Sequence, residues 1–145
     1  MSTVAKDLLR VLAPNPSPLT GPGTNTFVLG ARERVVIDPG PDDPAHLSAV
    51  LEAAGGRVSH ILVTHPHQDH SAGAHRLAAM TGAPVLAYGG ATDGRSPEMS
   101  RLAATGLVGG GEGLDTGFLP DVRLADETEL DSPAGPIRAL HTPGH

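Results

Sequence analysis

A short apolar run at residues 61–63 leads into the sequence His-Pro-His-Gln-Asp-His at residues 65–70, and this junction constrains the fold more than any other segment. The run is typical of a buried strand, so the polar residues are expected in the loop at its end. Side chains along a strand alternate between its faces, so His65 and His67 point the same way. Asp69 and His70 come where small residues indicate the start of a helix, so they can face a second point nearby.

Imidazole and carboxylate groups are ligands for borderline metals such as zinc. With three imidazoles and one carboxylate in six residues, this single loop can serve two metal ions. The alternative is a solvated surface turn that happens to be rich in histidine, in a chain that has eight histidines. The preceding buried strand, the spacing and the following helix start together favour the metal site.

Composition is that of an ordinary globular protein and argues against several kinds of site. The 145 residues are enough for one domain, residues 1–145, with a buried core. Cysteine is absent, so the chain has neither a disulfide framework nor a thiolate metal site. A net charge of −6 argues against a broad surface for nucleic-acid phosphates. Neither a Rossmann glycine pattern nor a Walker lysine is present.

No segment predicts export or insertion into a membrane. Residues 1–12 carry charges at Lys6, Asp7 and Arg10 and lack the continuous apolar core of a signal peptide. No run approaches the roughly 20 apolar residues that cross a bilayer. We therefore expect a cytoplasmic protein without a membrane partner, and the sequence gives no indication of its oligomeric state.

Apolar spacing and turn residues predict alternating strands and helices. Strands are expected at residues 26–29, 34–37, 59–63, 84–87, 122–124, 129–131 and 137–140. Residues 4–12 form either a first strand or an irregular lead-in. Helices are expected from a cap at Asp42 or Asp43 to residue 54, from residue 71 to Gly82, and at residues 97–105. The order strand, helix, strand, helix, strand predicts an α/β fold with parallel pairing, and the strands at residues 26–29 and 34–37 are expected around a turn at residues 30–33.

The sequence Thr-His-Pro-His-Gln-Asp-His at residues 64–70 resembles the His-x-His-x-Asp-His signature of the metallo-beta-lactamase-fold hydrolases. Residues 35–40 resemble the strand-ending Asp motif of that family, and residues 142–145, Thr-Pro-Gly-His, resemble its third motif. Residues 15–26 are similar to the opening of the beta-lactamase-like protein 2 group and its bacterial relatives. The resemblance spans nearly the whole chain. It implies the N-terminal half of a four-layer αβ/βα sandwich.

The resemblance also implies the metal ligands and their roles. His65, His67 and His145 would bind the first zinc ion and leave a fourth position for water. Asp69 and His70 would bind the second, and Asp69 would also orient or deprotonate the nucleophile. In this mechanism a metal-bound hydroxide attacks an ester, a thioester or a phosphodiester. Two zinc ions are expected per full-length chain, with iron or manganese as the alternatives.

Family members continue beyond the third motif with a second half, which supplies a metal-bridging Asp and a further His. The resemblance therefore leads us to expect a chain truncated after that motif, which ends here at His145. The substrate, the metal and the metal count are left open by the sequence.

Other polar residues near these motifs have less certain roles. Asp38 is expected to support the metal loop by accepting hydrogen bonds, and an Asp that opens a Pro-Gly turn is an equally good interpretation. His46, His60 and His75 match no motif and are expected in surface or packing positions, whereas His141 is expected beside the site but not as a ligand. Residues 21–26 either line the substrate cleft or only form a turn.

Several functions are compatible with these motifs. The first is a metal-dependent hydrolase that acts on a small-molecule ester or thioester. The second is a single-strand RNA endonuclease of the same fold, which the subfamily resemblance favours and the acidic charge disfavours. An inert truncated fragment and a mononuclear iron enzyme that uses oxygen are the remaining alternatives.

Overall fold

A seven-stranded sheet with its strands in chain order organises the computed structural model, which describes residues 1–106 and 113–143. The strands are β1 (Ser2–Ala5), β2 (Leu8–Leu12), β3 (Asn25–Leu29), β4 (Arg34–Ile37), β5 (Val58–Leu62), β6 (Val85–Ala87) and β7 (Val122–Arg123). A separate antiparallel hairpin consists of β8 (Glu129–Ser132) and β9 (Gly135–Arg138). The helices are α1 (Pro44–Ala53), α2 (Gln68–Ser71), α3 (Ala74–Thr81) and α4 (Pro97–Ala104).

The sheet is mixed, with β1 to β4 antiparallel and β4 to β7 parallel. The parallel pairing predicted from the order strand, helix, strand, helix, strand is therefore confirmed for β4, β5 and β6. The turns at residues 6–7 and 30–33 are too short for the crossover that parallel neighbours need, so these strands must pair as hairpins. Residues 4–12, expected as one strand or a lead-in, contain such a hairpin turn at Asp7, whose φ is 59°.

The predicted helices form where their capping residues place them. The carboxylate of Asp43 accepts a hydrogen bond from the backbone N–H of His46 at 2.7 Å, and Pro44 occupies the first turn of α1. At the end of α3, Gly82 adopts a left-handed φ of 76°, which glycine tolerates without strain. Caps and glycine ends are local signals, which is why the sequence predicted these boundaries.

The core lies between the sheet and the helices on one of its faces. Val28, Val36 and Ile61 point from the strands towards Leu47 of α1 and Leu77 of α3, and all five are buried. The opposite face carries a smaller cluster, in which side chains such as Val35 and Leu62 pack against the β8–β9 hairpin. One sheet with helices on its outer face agrees with the expected α/β half-sandwich.

The parallel half of the sheet determines where polar residues gather. The carboxyl ends of β4, β5 and β6 lie at the same edge, and in open α/β sheets ligands bind outside that edge. Asp38 follows β4 directly, and the loop with residues 63–67 follows β5.

In residues 1–106 and 113–143, none of the helices combines the length and apolarity that crossing a bilayer would require.

Candidate metal centre

The motif loop, residues 63–67, runs from the end of β5 to the start of α2. His67 has extended backbone angles, φ −84° and ψ 143°, and directly precedes the helix. A distant segment holds the loop from outside: the N–H of Gln68 donates to the carbonyl of Gly113, and the N–H of Asp115 donates to the carbonyl of Pro66, both at 2.7 Å. The backbone of the loop is therefore hydrogen-bonded on its outer side to a segment that is distant in the chain.

Asp38 supports the same loop from the sheet side. Its carboxylate, in a residue that is 7% exposed, accepts hydrogen bonds from the backbone N–H and the hydroxyl of Thr64, each at 2.8 Å. It also lies 2.9 Å from Nδ1 of His70. The prediction that Asp38 supports this loop by accepting hydrogen bonds is thus confirmed. Its φ of 52° lies in the left-handed region, which Asp adopts more often than most residues.

These hydrogen bonds determine which nitrogen of two histidines carries the proton. An ionised carboxylate only accepts, so Nδ1 of His70 must be the donor to Asp38. The Thr64 hydroxyl gives its single proton to Asp38, so it accepts from Nδ1 of His65 at 2.9 Å. In the neutral form of either ring, the lone pair therefore lies on Nε2. A histidine that donates Nδ1–H to a carboxylate or hydroxyl and turns Nε2 to the ion is the usual arrangement in zinc sites.

His70 lies between two carboxylates. Its Nε2 is 3.3 Å from Oδ2 of Asp69, on the side of the ring opposite Asp38. Burial by itself lowers the pKa of His70, but the hydrogen bond to Asp38 and the negative charges of Asp38 and Asp69 outweigh burial and raise the pKa above its ordinary value. The two carboxylates therefore favour the protonated, positively charged form of His70.

The three imidazoles of the motif lie against one another. The ring centroids of His65 and His70 are 4.2 Å apart, and those of His65 and His67 are 4.9 Å apart. Within residues 1–106 and 113–143, no three His, Asp or Glu side chains already converge on one point. His145, the fifth expected ligand, lies outside the described residues. The donor types and proton positions fit zinc, and closing a coordination shell would require the rings to turn about their side-chain bonds.

A cleft of about 250 Å³ opens beside Asp69 and His70. The loop between β2 and β3, at residues 13–24, forms its other wall, and Gly23, Thr24 and Asn25 line it, as expected for one interpretation of residues 21–26. The exposed Leu19 stands at the rim of this wall. The cleft brings an open space of small-molecule size next to the expected ligands.

Sequence reasoning missed two polar contacts of the site. The Thr24 hydroxyl donates to Oδ2 of Asp69 at 2.9 Å. The fully buried Ser71 hydroxyl lies 2.9 Å from the carbonyl of His67 and 3.0 Å from the carboxylate of Asp115. Because these partners are 45 and 44 residues apart in the chain, no local pattern indicates them.

The remaining histidines lie apart from the motif rings. His46 is buried in α1 and hydrogen-bonded to Thr26, and burial lowers its pKa. His60 contacts Ser59 on β5, and His75 is exposed on α3 with its ring 5.9 Å from that of Phe118. These positions agree with the expected surface and packing roles.

His141 lies against Tyr88, which lines a second cleft of about 310 Å³ together with Asp93, Gly94, Arg123 and Ala125. Its ring stacks on Tyr88 with centroids 3.9 Å apart. The charged residues that line the cleft, Asp93 and Arg123, are joined by an ion pair of 2.7 Å, so they neutralise each other. Two of the expected metal ligands, Asp69 and His70, line the smaller cleft instead.

Comparison with known proteins places these features in a family. Residues 19–145 match the sequence model of the metallo-beta-lactamase superfamily. The whole chain is 31% identical over 154 residues to a beta-lactamase-like protein 2 homolog of Drosophila melanogaster, of which it covers 48%. It is 29% identical over 142 residues to an atrochrysone carboxyl ACP thioesterase of Passalora fulva, covering 95% of this chain and 35% of that protein. The chain thus spans less than half the length of these relatives.

A solved structure agrees with the same fold. A class B3 di-zinc metallo-beta-lactamase from an Alaskan soil metagenome superposes with a TM-score of 0.67. The superposition covers 99% of this chain and 52% of that chain, at 18% sequence identity. At that identity the likeness concerns the fold, and it agrees with the half-sandwich described above.

Proposed function

Because the chain belongs to the metallo-beta-lactamase superfamily, a superfamily of hydrolases, we propose that residues 65–70 bind the metal of a hydrolytic site. His65 and His67, with His145 as the third donor, would hold a first ion, and Asp69 with His70 would hold a second. When bound, zinc supplies a Lewis acid that polarises the substrate and lowers the pKa of a water molecule to about 7. Iron and manganese remain the alternative metals.

The observation that carries this proposal is the hydrogen-bond arrangement around Asp38. One buried carboxylate holds Nδ1 of His70 directly and orders His65 through the hydroxyl of Thr64. In the neutral form of both histidines, the lone pair therefore lies on Nε2, the nitrogen that turns to the metal in the usual zinc arrangement. A surface turn that is merely rich in histidine has no reason to fix two tautomers through one carboxylate.

The other residues of the site have roles that follow from their positions. Asp69 borders the cleft and is the carboxylate proposed to orient the attacking water and accept its proton. The loop wall at residues 13–24 would cover the substrate, and the exposed Leu19 at its rim suits an apolar group. A small ester or thioester fits a cleft of about 250 Å³.

Two observations favour a thioester over RNA as the substrate. One relative is named as a carrier-protein thioesterase, and the net charge of −6 opposes the binding of a polyanion. Cleavage of single-stranded RNA is the second candidate. We propose it because the opening residues 15–26 resemble the beta-lactamase-like protein 2 group and a homolog of that group is among the relatives.

Zinc binding is the first test of this proposal. Replacing His67 by Ala should abolish tight zinc binding in a competition titration with a chromophoric chelator. His75→Ala is the matched control, because His75 is an exposed histidine on α3 and should leave the zinc affinity unchanged. Equal losses from both substitutions would show that the motif assignment is wrong. Metal analysis of freshly purified protein addresses the iron alternative, since one iron per chain would overturn the zinc assignment.

Hydrolysis assays then separate the substrate classes. The zinc-loaded protein is offered a small acyl thioester and, in parallel, a single-stranded RNA oligonucleotide. Thioester cleavage that disappears in His67→Ala and persists in His75→Ala supports the proposed reaction. Cleavage of RNA alone would identify the nuclease instead. Zinc binding without cleavage of either substrate would identify a metal-binding fragment that has no turnover.

A further inference from the structure

Thr24 makes a contact with the site that neither the motifs nor the family resemblance assigns. Only 4% of this residue is exposed, and its hydroxyl oxygen lies 2.9 Å from Oδ2 of Asp69. It belongs to the loop at residues 13–24, whereas Asp69 belongs to α2. The contact therefore joins the wall of the cleft to the carboxylate that is proposed to act in catalysis.

The direction of this hydrogen bond follows from its neighbour Asn15. The side-chain oxygen of Asn15 accepts from the backbone N–H of Thr24 at 2.9 Å, which fixes the orientation of the amide. The amide nitrogen then donates to the Thr24 hydroxyl at 3.0 Å. A hydroxyl that already accepts from an amide has its one proton available, and the carboxylate can only accept it. Asn15 thus directs the proton of Thr24 towards Asp69.

This pair of side chains depends on the glycine between them. Gly23 has a φ of 139°, and a Cβ added there would lie 2.0 Å from the carbonyl oxygen of Ala13 and 3.2 Å from the side-chain oxygen of Asn15. Only glycine permits the loop to fold back so closely. The Pro-Gly-rich sequence of the loop therefore does more than form a turn, since it brings Asn15 beside Thr24.

A fixed hydrogen bond is useful to Asp69 because its carboxylate is otherwise poorly restrained. The side chain is 32% exposed, and the outer torsion of an aspartate has a broad energy minimum. Thr24 donates to Oδ2, and Nε2 of His70 lies 3.3 Å from the same oxygen. The hydrogen bond from Thr24 therefore restricts rotation of the carboxylate before any ligand arrives.

We propose that Thr24 is a positioning residue, which orients the carboxylate of Asp69 for metal binding through the Asn15–Thr24–Asp69 hydrogen bonds. This inference rests on the proposed function, in which Asp69 binds metal. Groups that hydrogen-bond to a metal ligand typically change metal affinity by about 10- to 100-fold when they are removed. Loss of the Thr24 hydroxyl should therefore weaken zinc binding without unfolding the chain.

The test compares zinc affinities of variants of the whole chain by competition titration. Thr24→Val removes the hydroxyl and keeps the shape, and Thr24→Ala removes it without any risk of overpacking. Both should bind the second zinc ion, the one assigned to Asp69 and His70, about 10-fold more weakly or worse, whereas Thr24→Ser restores the hydroxyl and should restore that affinity. Thermal unfolding of the metal-free variants shows whether each remains folded. The backbone hydrogen bond from Ala13 to Thr24, at 2.9 Å, is kept in all three.

Ser17→Ala is the matched control for the loop itself. The Ser17 hydroxyl accepts hydrogen bonds from the backbone of Leu19 and Thr20 in the same loop, and these contacts do not involve Asp69. This variant should bind zinc as the wild type does. An equal loss of affinity in Ser17→Ala and Thr24→Val would mean that any disturbance of the loop weakens the site. Equal losses in Thr24→Ser and Thr24→Val would likewise overturn the role of the hydroxyl.

Asp69→Asn separates this inference from the proposed function. If Asp69→Asn binds zinc as tightly as the wild type, Asp69 is not a ligand and the proposed function fails at that residue. If Asp69→Asn weakens binding and Thr24→Val does not, the assignment of Asp69 stands and only the role of Thr24 is refuted. Weakening by both, with recovery in Thr24→Ser, is the result expected from the structure.

Discussion

Replacing Asp38 by Asn tests whether one carboxylate holds the motif loop to the sheet. The substitution keeps the size of the side chain and the tolerance of a left-handed backbone, since Asn also adopts positive φ readily. It exchanges one oxygen for an NH₂ group. Three donors converge on Asp38, namely the N–H and hydroxyl of Thr64 and Nδ1 of His70. Whichever way the amide turns, at least one donor then faces another donor.

The magnitude follows from these contacts. A donor that loses its acceptor costs about 1–3 kcal/mol when it is buried, and the low end of that range applies here because the hydrogen bonds to Asp38 are partly buried. The remaining bonds lose the negative charge of their acceptor, and bonds to charged groups contribute about 1.5–3 kcal/mol against about 0.5–1.5 kcal/mol for neutral ones. We therefore expect Asp38→Asn to lower the free energy of unfolding by about 2–4 kcal/mol. At about 2–4 °C per kcal/mol for a chain of this size, the melting temperature should fall by roughly 5–15 °C.

Thermal and urea unfolding of the metal-free protein measure this difference. The control is Asp42→Asn, because Asp42 is an exposed aspartate that pairs with Arg76 on the surface. Exposed ion pairs contribute about 0–1 kcal/mol, so this control should change the free energy of unfolding little. If both variants lose the same small amount of stability, the hydrogen bonds of Asp38 do not hold the loop, and the argument from its geometry is refuted.

Two further substitutions test the packing around the site. Gly23→Ala should lower the free energy of unfolding by about 2–4 kcal/mol, because the added Cβ meets the Ala13 carbonyl. Gly55 has a φ of 61° and open space around it, so Gly55→Ala should lower the free energy of unfolding by only about 1–2 kcal/mol. Burial lowers the pKa of His46 in the folded chain. Below about pH 6.5 the unfolded chain therefore binds a proton that the folded chain does not, so the free energy of unfolding falls as the pH drops. The variant His46→Gln should therefore lose less stability than the wild type between about pH 7.5 and 5.5; an unchanged pH dependence would contradict this.

Elements with a local signal were predictable from the sequence. The cap at Asp43, the proline after it and the glycine that ends α3 each act within one helical turn, so they determine boundaries without reference to the rest of the chain. The same holds for the strand that precedes the motif loop. Its apolar residues must be buried, and the run is too short for a helix of ordinary length.

Strand direction was predictable only in part. The helices between β4 and β6 allow parallel pairing, and the sequence predicted this correctly. Before β4 the chain has no crossover helix, and the short turns at residues 6–7 and 30–33 impose hairpins. The prediction of two strands around the turn at residues 30–33 agrees with the antiparallel pairing of β3 and β4.

The motif and its support differ in how far apart their residues lie in the chain. The expected donors of the motif lie within residues 65–70, so their spacing alone indicates a metal site. Asp38, Thr24 and Asp115, whose carboxylates or hydroxyl order this loop, lie 26 to 45 residues from the groups that they contact. A single sequence contains no record of such pairs, because nothing in the spacing of Thr24 requires Asp69 to be its partner. The substitutions at Thr24 therefore examine a contact that only the structure reveals, and the substitution at Asp38 examines a support that the family resemblance predicted. Their effects on folding and on zinc affinity should separate, since Asp38 anchors the loop whereas Thr24 orients one carboxylate.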